Sequence, residues 1–115
     1  MSPRSRNRAT TRRHPPAVVF AALGDETRLS LVVRLSDRQP HSISQLTHGS
    51  RLTRQAITKH LRVLEDAGIV QSNREGRESL FELHPEPIDE IRQYLDLVSE
   101  QWNQALARLK SFVED

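Results

Sequence analysis

The sequence contains no cysteine among its 115 residues, so disulfide bonds, thiolate metal ligands and a cysteine nucleophile are all excluded. Its four glycines leave little material for a glycine-rich phosphate loop, and no serine lies in a recognisable nucleophile motif. No apolar run approaches the length of a membrane span, and the N-terminus has no hydrophobic segment of the kind that directs secretion. These absences argue against an enzyme and a membrane partner, and we expect a cytoplasmic domain without a cofactor.

Aromatic residues are also scarce, with one tryptophan, one tyrosine and three phenylalanines in the chain. A chain of this length suits a single domain, and so few large side chains predict a thin core. Because small domains often gain stability by self-association, a homodimer is the expected state.

Charge is unevenly distributed along the chain, although the formal net charge is only +2. Residues 1–14 are rich in arginine, lack acids and contain almost nothing apolar, which predicts a disordered basic arm followed by a folded domain over residues 15–115. A second stretch without acids runs over residues 51–62, whereas acids gather in residues 86–115. A basic arm and a basic stripe on an otherwise acidic body predict a polyanionic partner.

Local signals predict a series of short helices in the first half of the chain. The proline pair at 15–16 opens an apolar helix that ends at Gly24, and Asp25 is placed to cap the next helix. Ser42 and Gln45 have the spacing of a capping box that opens a brief third helix. The buried stripe of the second helix is predicted to consist of Leu31, Val32 and Leu35.

A fourth helix is predicted to begin at Thr53 and to stop at Gly68, with Ile57, Leu61 and Leu64 on its buried side. Its other side carries long or hydroxyl-bearing donors that suit phosphates and base edges. The predicted contacts in and just before this helix are Arg51, Thr53, Arg54, Gln55, Thr58, Lys59, His60 and Arg62. The arginine and glutamine side chains are the candidates for base reading, because both can make paired hydrogen bonds to a base. For His60, packing and a phosphate contact remain open.

Two β-prone runs follow at residues 69–73 and 78–83, separated by Arg74-Glu75-Gly76-Arg77. A short connection that contains glycine predicts a hairpin, and its two arginines are placed for phosphates or the minor groove. The order helix, helix, turn, helix, basic hairpin predicts a mainly α fold with a small β-hairpin (α+β), a winged helix-turn-helix on double-stranded DNA. A winged-helix adaptor that contacts another protein is the alternative.

The last part of the chain is predicted to form one long helix after Pro85 and Pro87. Apolar residues recur over positions 88–112 in alternating steps of three and four, a heptad seam that needs a partner. The alternative is that this helix packs on the core of its own subunit. The predicted dimer interface combines the seam with the first helix and consists of Val19, Phe20, Leu23, Ile91, Leu95, Val98, Trp102 and Leu109.

Two stretches of the sequence, FAALGDETRL at 20–29 and AITKHLRVLEDAGIV at 56–70, together resemble the ArsR family of winged-helix repressors. The similarity extends over about residues 17 to 113. The resemblance implies a homodimeric repressor on a near-palindromic operator, with the first and last helices forming the subunit interface.

The family's metal-sensing patterns are missing from this sequence. Many members bind metal through cysteines before the recognition helix or through histidine and carboxylate pairs on the last helix. Ser42, Ile43 and Ser44 stand at the first position, and residues 86–115 contain no histidine. His41 and His48 flank the short third helix, and an ion that bridges them is the open alternative. Carboxylates alone are poor ligands for zinc-like ions, so we expect no metal site.

Overall fold

A computed structural model describes residues 14–114 of the chain. The elements of this part are, in order, α1 (Pro16–Leu23), α2 (Glu26–Leu35), β1 (His41–Ser42), α3 (Ile43–Thr47), α4 (Arg54–Asp66), β2 (Val70–Glu75), β3 (Glu78–Leu83) and α5 (Glu86–Glu114). The predicted mainly helical fold with a β-hairpin wing is confirmed. None of the helices in residues 14–114 combines the length and the apolar character that crossing a membrane requires.

Side-chain caps open three of the helices at the positions that the sequence predicts. Asp25 accepts a hydrogen bond from the backbone N–H of Arg28 at 3.1 Å and starts α2. Ser42 and Gln45 form the complete capping box of α3, with both reciprocal hydrogen bonds present. Thr53 accepts a hydrogen bond from the N–H of Ala56 and starts α4. Because each cap contributes about 1 kcal/mol, the short helices begin at defined residues.

The core is formed where α2, α3 and α4 meet over the inner face of the sheet. Leu35, Leu46, Leu61 and Leu64 are 0% exposed, and Phe81 covers them from β3. Burial of each such side chain is worth roughly 1.5–3 kcal/mol before the entropy of ordering is subtracted. The predicted buried stripes of α2 and α4 are confirmed, with Val32 packed at the edge of the core.

The sheet has a strand that the sequence analysis did not identify. β3 lies between β1 and β2, and both neighbours pair with it in antiparallel fashion. His41 pairs with Phe81 and Ser42 with Leu80. A strand of two residues has no periodicity, so its pairing depends on where the fold places β3 rather than on a local signal.

The hairpin is longer and its turn tighter than the sequence predicts. β2 continues through Arg74 to Glu75, which pairs with Glu78, so Gly76 and Arg77 form the whole connection. Gly76 has φ +64 in this turn, a backbone conformation that side-chain-bearing residues rarely adopt. The tight turn holds Arg77 at the tip of a continuous ladder.

The long helix α5 is partly buried at its start and exposed over most of its length. Pro87 and Ile91 lie in the core, and the ring of Tyr94 packs at 6.2 Å from that of Phe20 on α1. Val19 and Ile91, predicted at the dimer interface, are 0% and 6% exposed within a single chain. The core of their own subunit already covers both side chains, so little of either is left to contact a second copy.

His14 belongs to the described structure, although the sequence prediction assigns it to the disordered arm. Its backbone N–H donates to Glu90 at 3.2 Å, and its imidazole lies against Gly68. Gly68 has φ +81, and a Cβ atom at this position would collide with the ring. His14 therefore packs on the folded domain, and the rest of the predicted arm, residues 1–13, lies outside the described residues.

Candidate nucleic-acid interface

The side of α4 that faces away from the core carries the side chains predicted to contact DNA. Ile57, Leu61 and Leu64 hold the opposite side of the helix in the core. Thr58 is half-buried, and its hydroxyl donates to the carbonyl oxygen of Arg54 at 2.7 Å, so this threonine presents mainly its methyl group. The exposed donors of the helix and its N-cap are Thr53, Arg54, Gln55, Lys59 and Arg62.

Arg54 is turned towards α3 and the wing. Its guanidinium donates a hydrogen bond to the hydroxyl of Ser44. Arg54, Arg77, Glu78 and serine hydroxyl groups line one cleft of about 150 Å³ between the start of α4 and the hairpin tip. This placement suits a contact to the DNA backbone at the edge of the groove. The side chain of Gln55 is exposed and has no hydrogen-bond partner among residues 14–114. Because its amide group is free to bind a base, Gln55 is a stronger candidate for base reading than Arg54.

The wing is attached to the recognition helix by a side-chain hydrogen bond. Ser72 of β2 donates to Glu65 near the end of α4 at 2.6 Å. Residues 71–78 are exposed along the hairpin, and they include Arg74, which pairs with Ser79, and Arg77. The bond links the hairpin to the end of α4, next to the strand that carries Arg74.

The end of α3 is held by α2. Arg34 of α2 donates to the carbonyl oxygens of Gln45 and Leu46, both at 2.7 Å. These oxygens lie at the end of α3, where the helix supplies no partner for them. Arg51 is exposed in the following turn, beside a polar groove of about 510 Å³ that Arg34 and His48 also line.

His60 does not lie on the exposed side with the other predicted contacts. Its side chain is 24% exposed, and its Nδ1 atom is 3.2 Å from a guanidinium nitrogen of Arg28 on α2. A carboxylate oxygen of Asp25 is 3.7 Å from Nδ1 of His60. The backbone N–H of Arg28 lowers the pKa of Asp25 against an opposing effect of burial, and the neighbouring side chains of His60 and Arg28 lower it further. Of the two open alternatives for His60, packing against α2 is the one this geometry favours.

The cations of this face keep their charge available to a ligand. Within residues 14–114, each oppositely charged pair within 4.0 Å has a histidine as its basic partner. The lysine and arginine side chains of α4, the preceding turn and the wing are therefore not neutralised by a carboxylate, and they are Arg51, Arg54, Lys59, Arg62, Arg74 and Arg77. An unpaired basic face around a helix suits a polyanion.

Residues 14–114 contain no group of three or more histidine, aspartate or glutamate side chains placed to hold a metal ion. His41 instead pairs with Asp37 at 2.9 Å, at one end of α3.

Sequence reasoning missed the supporting residues Arg28, Ser44 and Ser72. Each binds a residue of another element through its side chain, so periodicity within one element does not reveal its partner. A weak signal exists for Arg28, which stands three residues after a capping aspartate.

Comparison with known proteins identifies the family. The family model described as "Bacterial regulatory protein, arsR family" matches residues 25–72. The chain is 40% identical over 79 residues to the HTH-type transcriptional regulator YuzN of Bacillus subtilis, covering 64% of this chain and 86% of YuzN. It is 34% identical over 81 residues to the arsenic resistance transcriptional regulator ArsR1 of Pseudomonas putida, covering 70% of this chain and 60% of that protein.

Comparison with solved structures leads to the same family. The solved structure of an ArsR-like transcriptional regulator from Rhodococcus sp. RHA1 superposes with a TM-score of 0.73 at 35% identity, covering 84% of this chain and 91% of the other. A basic recognition helix with a wing, a matching family model and relatives that regulate transcription lead to one conclusion. The chain belongs to the ArsR family of DNA-binding, winged-helix transcriptional regulators and is not an enzyme.

Proposed function

We propose that this protein is a homodimeric repressor that binds a near-palindromic operator in the cytoplasm. The observation that carries the proposal is that one chain combines an unpaired basic face on α4 and the wing with a long exposed apolar side on α5. Two copies related by a two-fold axis would present their recognition helices to successive major grooves, about 34 Å apart. A dimer seated on such a site blocks access of other proteins to the same DNA.

The apolar side of α5 supports the dimer. Leu95, Trp102 and Leu109 are 47%, 64% and 57% exposed, an unusual amount of bare apolar surface for one helix. Val98, Trp102 and Ala105 line a shallow depression of about 210 Å³ on the same helix, which a side chain of a second copy can fill. Phe20 and Leu23 of α1, both half-buried, extend the surface. A two-fold interface buries this surface on both copies at once.

The proposal does not include a metal effector. With no cysteine in the chain, the soft ligands through which arsenite and cadmium would bind are missing. The repressor would then respond to its own concentration or to a ligand of another kind.

The experiment that tests the function is selection of bound duplexes from random-sequence DNA, followed by titration of the selected duplex at several salt concentrations. A repressor should enrich a two-fold symmetric sequence and lose affinity steeply as salt rises, because each phosphate contact releases counterions. Zinc, arsenite or a chelator added to the titration should leave the affinity unchanged. Folded protein that retains no duplex at low salt would favour the adaptor instead.

Deletion of residues 2–13 is expected to weaken binding to all duplexes and to reduce the salt dependence. Five arginines are removed, namely Arg4, Arg6, Arg8, Arg12 and Arg13. For every phosphate that the arm neutralises, its removal should lower the slope of log affinity against log salt by roughly 0.9. His14 is kept because it packs on Gly68. The matched control replaces the five arginines by glutamine at constant length, and an unchanged slope in both variants would show that the arm does not contact DNA.

Gln55→Ala is expected to change the selected sequence, whereas Arg74→Ala and Arg77→Ala should weaken binding without changing it. Glutamine can make two hydrogen bonds to adenine, so its loss costs about 1–3 kcal/mol at one base pair. The wing arginines are placed for phosphates or the minor groove, which carry less sequence information. For Arg54→Ala we expect the behaviour of the wing variants, since its guanidinium is turned towards Ser44. Selection profiles of the four variants decide, and a wild-type profile for Gln55→Ala would exclude Gln55 from base reading.

A further inference from the structure

Arg28 binds three helices at once and lies apart from the exposed DNA-contacting side chains. Its Nε atom donates to the carbonyl oxygen of Ala22 at 2.5 Å, and one terminal nitrogen donates to the carbonyl oxygen of Ala21 at 3.4 Å. Both carbonyl groups lie at the end of α1. Its other terminal nitrogen contacts Nδ1 of His60 on α4 at 3.2 Å. The residue itself belongs to the first turn of α2. One guanidinium therefore joins α1, α2 and the recognition helix.

The chemistry of these contacts makes the link specific. Carbonyl oxygens in the last turn of a helix have no helical partner and carry the negative end of its dipole, so a guanidinium is well suited to them. Arginine is a pure donor with a rigid, planar set of N–H groups. A lysine at this position would keep the charge but could not hold this fixed planar arrangement.

The contact with His60 gives one ring nitrogen a defined role. Because arginine can only donate, Nδ1 of His60 is the acceptor of this hydrogen bond. Asp25, which caps α2, lies on the other side of the same nitrogen at 3.7 Å. Two charged groups at the start of α2, Asp25 and Arg28, therefore face Nδ1 of His60. The hydrogen bond from Arg28 to Nδ1 is charge-assisted, because its donor is a cation.

We propose that Arg28 is a positioning residue, which acts through His60 to hold the recognition helix at a fixed angle to α1. The inference rests on the proposed function, because α1 lies at the proposed subunit interface, with Phe20 packed near Tyr94 of α5. In that dimer the link fixes each recognition helix relative to the two-fold axis. It thereby sets the spacing at which both helices enter the operator. Neither Arg28 nor His60 needs to touch DNA for this effect.

The test compares two duplexes: the one selected from random-sequence DNA, with both half-sites, and one that carries a single half-site. Loss of the link in His60→Leu should lower affinity for the full duplex roughly tenfold, the size of one charge-assisted hydrogen bond, and change half-site affinity little. A single half-site imposes no spacing, so a merely local structural defect would weaken both duplexes equally. That equal loss, or no loss at all in the folded variant, would overturn the proposal.

His60→Asn is the conservative variant, because its side-chain oxygen lies near the place of Nδ1 and can accept from Arg28. It should restore most of the full-site affinity, whereas His60→Gln, which moves the acceptor one bond further out, should behave like His60→Leu. If His60→Leu fails to fold, the comparison of asparagine with glutamine decides in the same way. Equal affinities for these two would contradict the link.

Arg28→Gln, which removes the charge, provides a check on direct DNA contact. It should lower full-site affinity without changing the slope of log affinity against log salt, whereas removal of a phosphate contact changes that slope. Wild-type protein that binds both duplexes equally would instead refute the proposed dimer, so failure of the proposed function can be recognised separately.

Discussion

Trp102→Glu is expected to convert the proposed dimer into a folded monomer and to lower affinity for the selected duplex by roughly 100-fold. Trp102 is 64% exposed in a single chain, so its substitution removes little of the chain's own packing. In a two-fold interface each substitution acts twice, and the loss of two buried side chains amounts to about 3 kcal/mol or more, equivalent to roughly 100-fold. The effect on DNA follows because only a dimer presents two recognition helices at the spacing of successive major grooves.

Analytical ultracentrifugation and circular dichroism measure the two parts of this prediction separately. Leu95→Glu tests a second position of the same surface and should behave alike. Asn103→Glu is the matched control, since it adds the same charge next to Trp102 but off the apolar seam. A Trp102→Glu protein that stays dimeric and binds the selected duplex normally would refute the interface. If Trp102→Glu unfolds instead, α5 is required for the fold of its own subunit.

Leu61→Ala is expected to lower the free energy of unfolding by about 2–5 kcal/mol. Leu61 is 0% exposed and lies on the inner side of α4, where it contributes to the core beneath the proposed DNA contacts. Its truncation removes buried apolar surface and leaves a cavity that the surrounding helices fill only in part. Because small domains are stable by only about 5–15 kcal/mol, the variant should lose much of its folded population at physiological temperature.

Urea denaturation at one fixed protein concentration measures the loss, since the stability of a dimer depends on concentration. Val63→Ala is the control on the same helix, because Val63 is 40% exposed and its truncation leaves no buried cavity. The two variants should therefore differ by at least about 1 kcal/mol. Equal stability of Leu61→Ala and Val63→Ala would contradict the assignment of Leu61 to the core.

Local signals were sufficient for most of the elements that form the basic face of α4 and the wing. Asp25, Ser42 and Thr53 cap the helices that follow them as expected, since a cap involves residues only three apart. The spacing of Ile57, Leu61 and Leu64 identified the buried side of the recognition helix, and with it the exposed donors. The hairpin was found for the same reason, because its glycine and its flanking β-prone runs are neighbours in sequence.

Local signals did not predict the contacts between residues that are distant in sequence. Arg28 and His60 are 32 positions apart, and nothing in their spacing indicates that they touch. The two-residue strand β1 is too short for a pattern and pairs where the fold brings β3 beside it.

The sequence by itself determined the order of the helices, their caps, the basic face and the apolar seam of α5, because these depend on interactions between near neighbours. Only the tertiary structure decided which part of each apolar surface is already covered. Ile91 carries the same periodic signal as Leu95 and Trp102, yet Ile91 lies in the core and the other two are exposed. The physical reason is that periodicity shows which residues share a side of a helix, whereas burial depends on the elements that pack against that side.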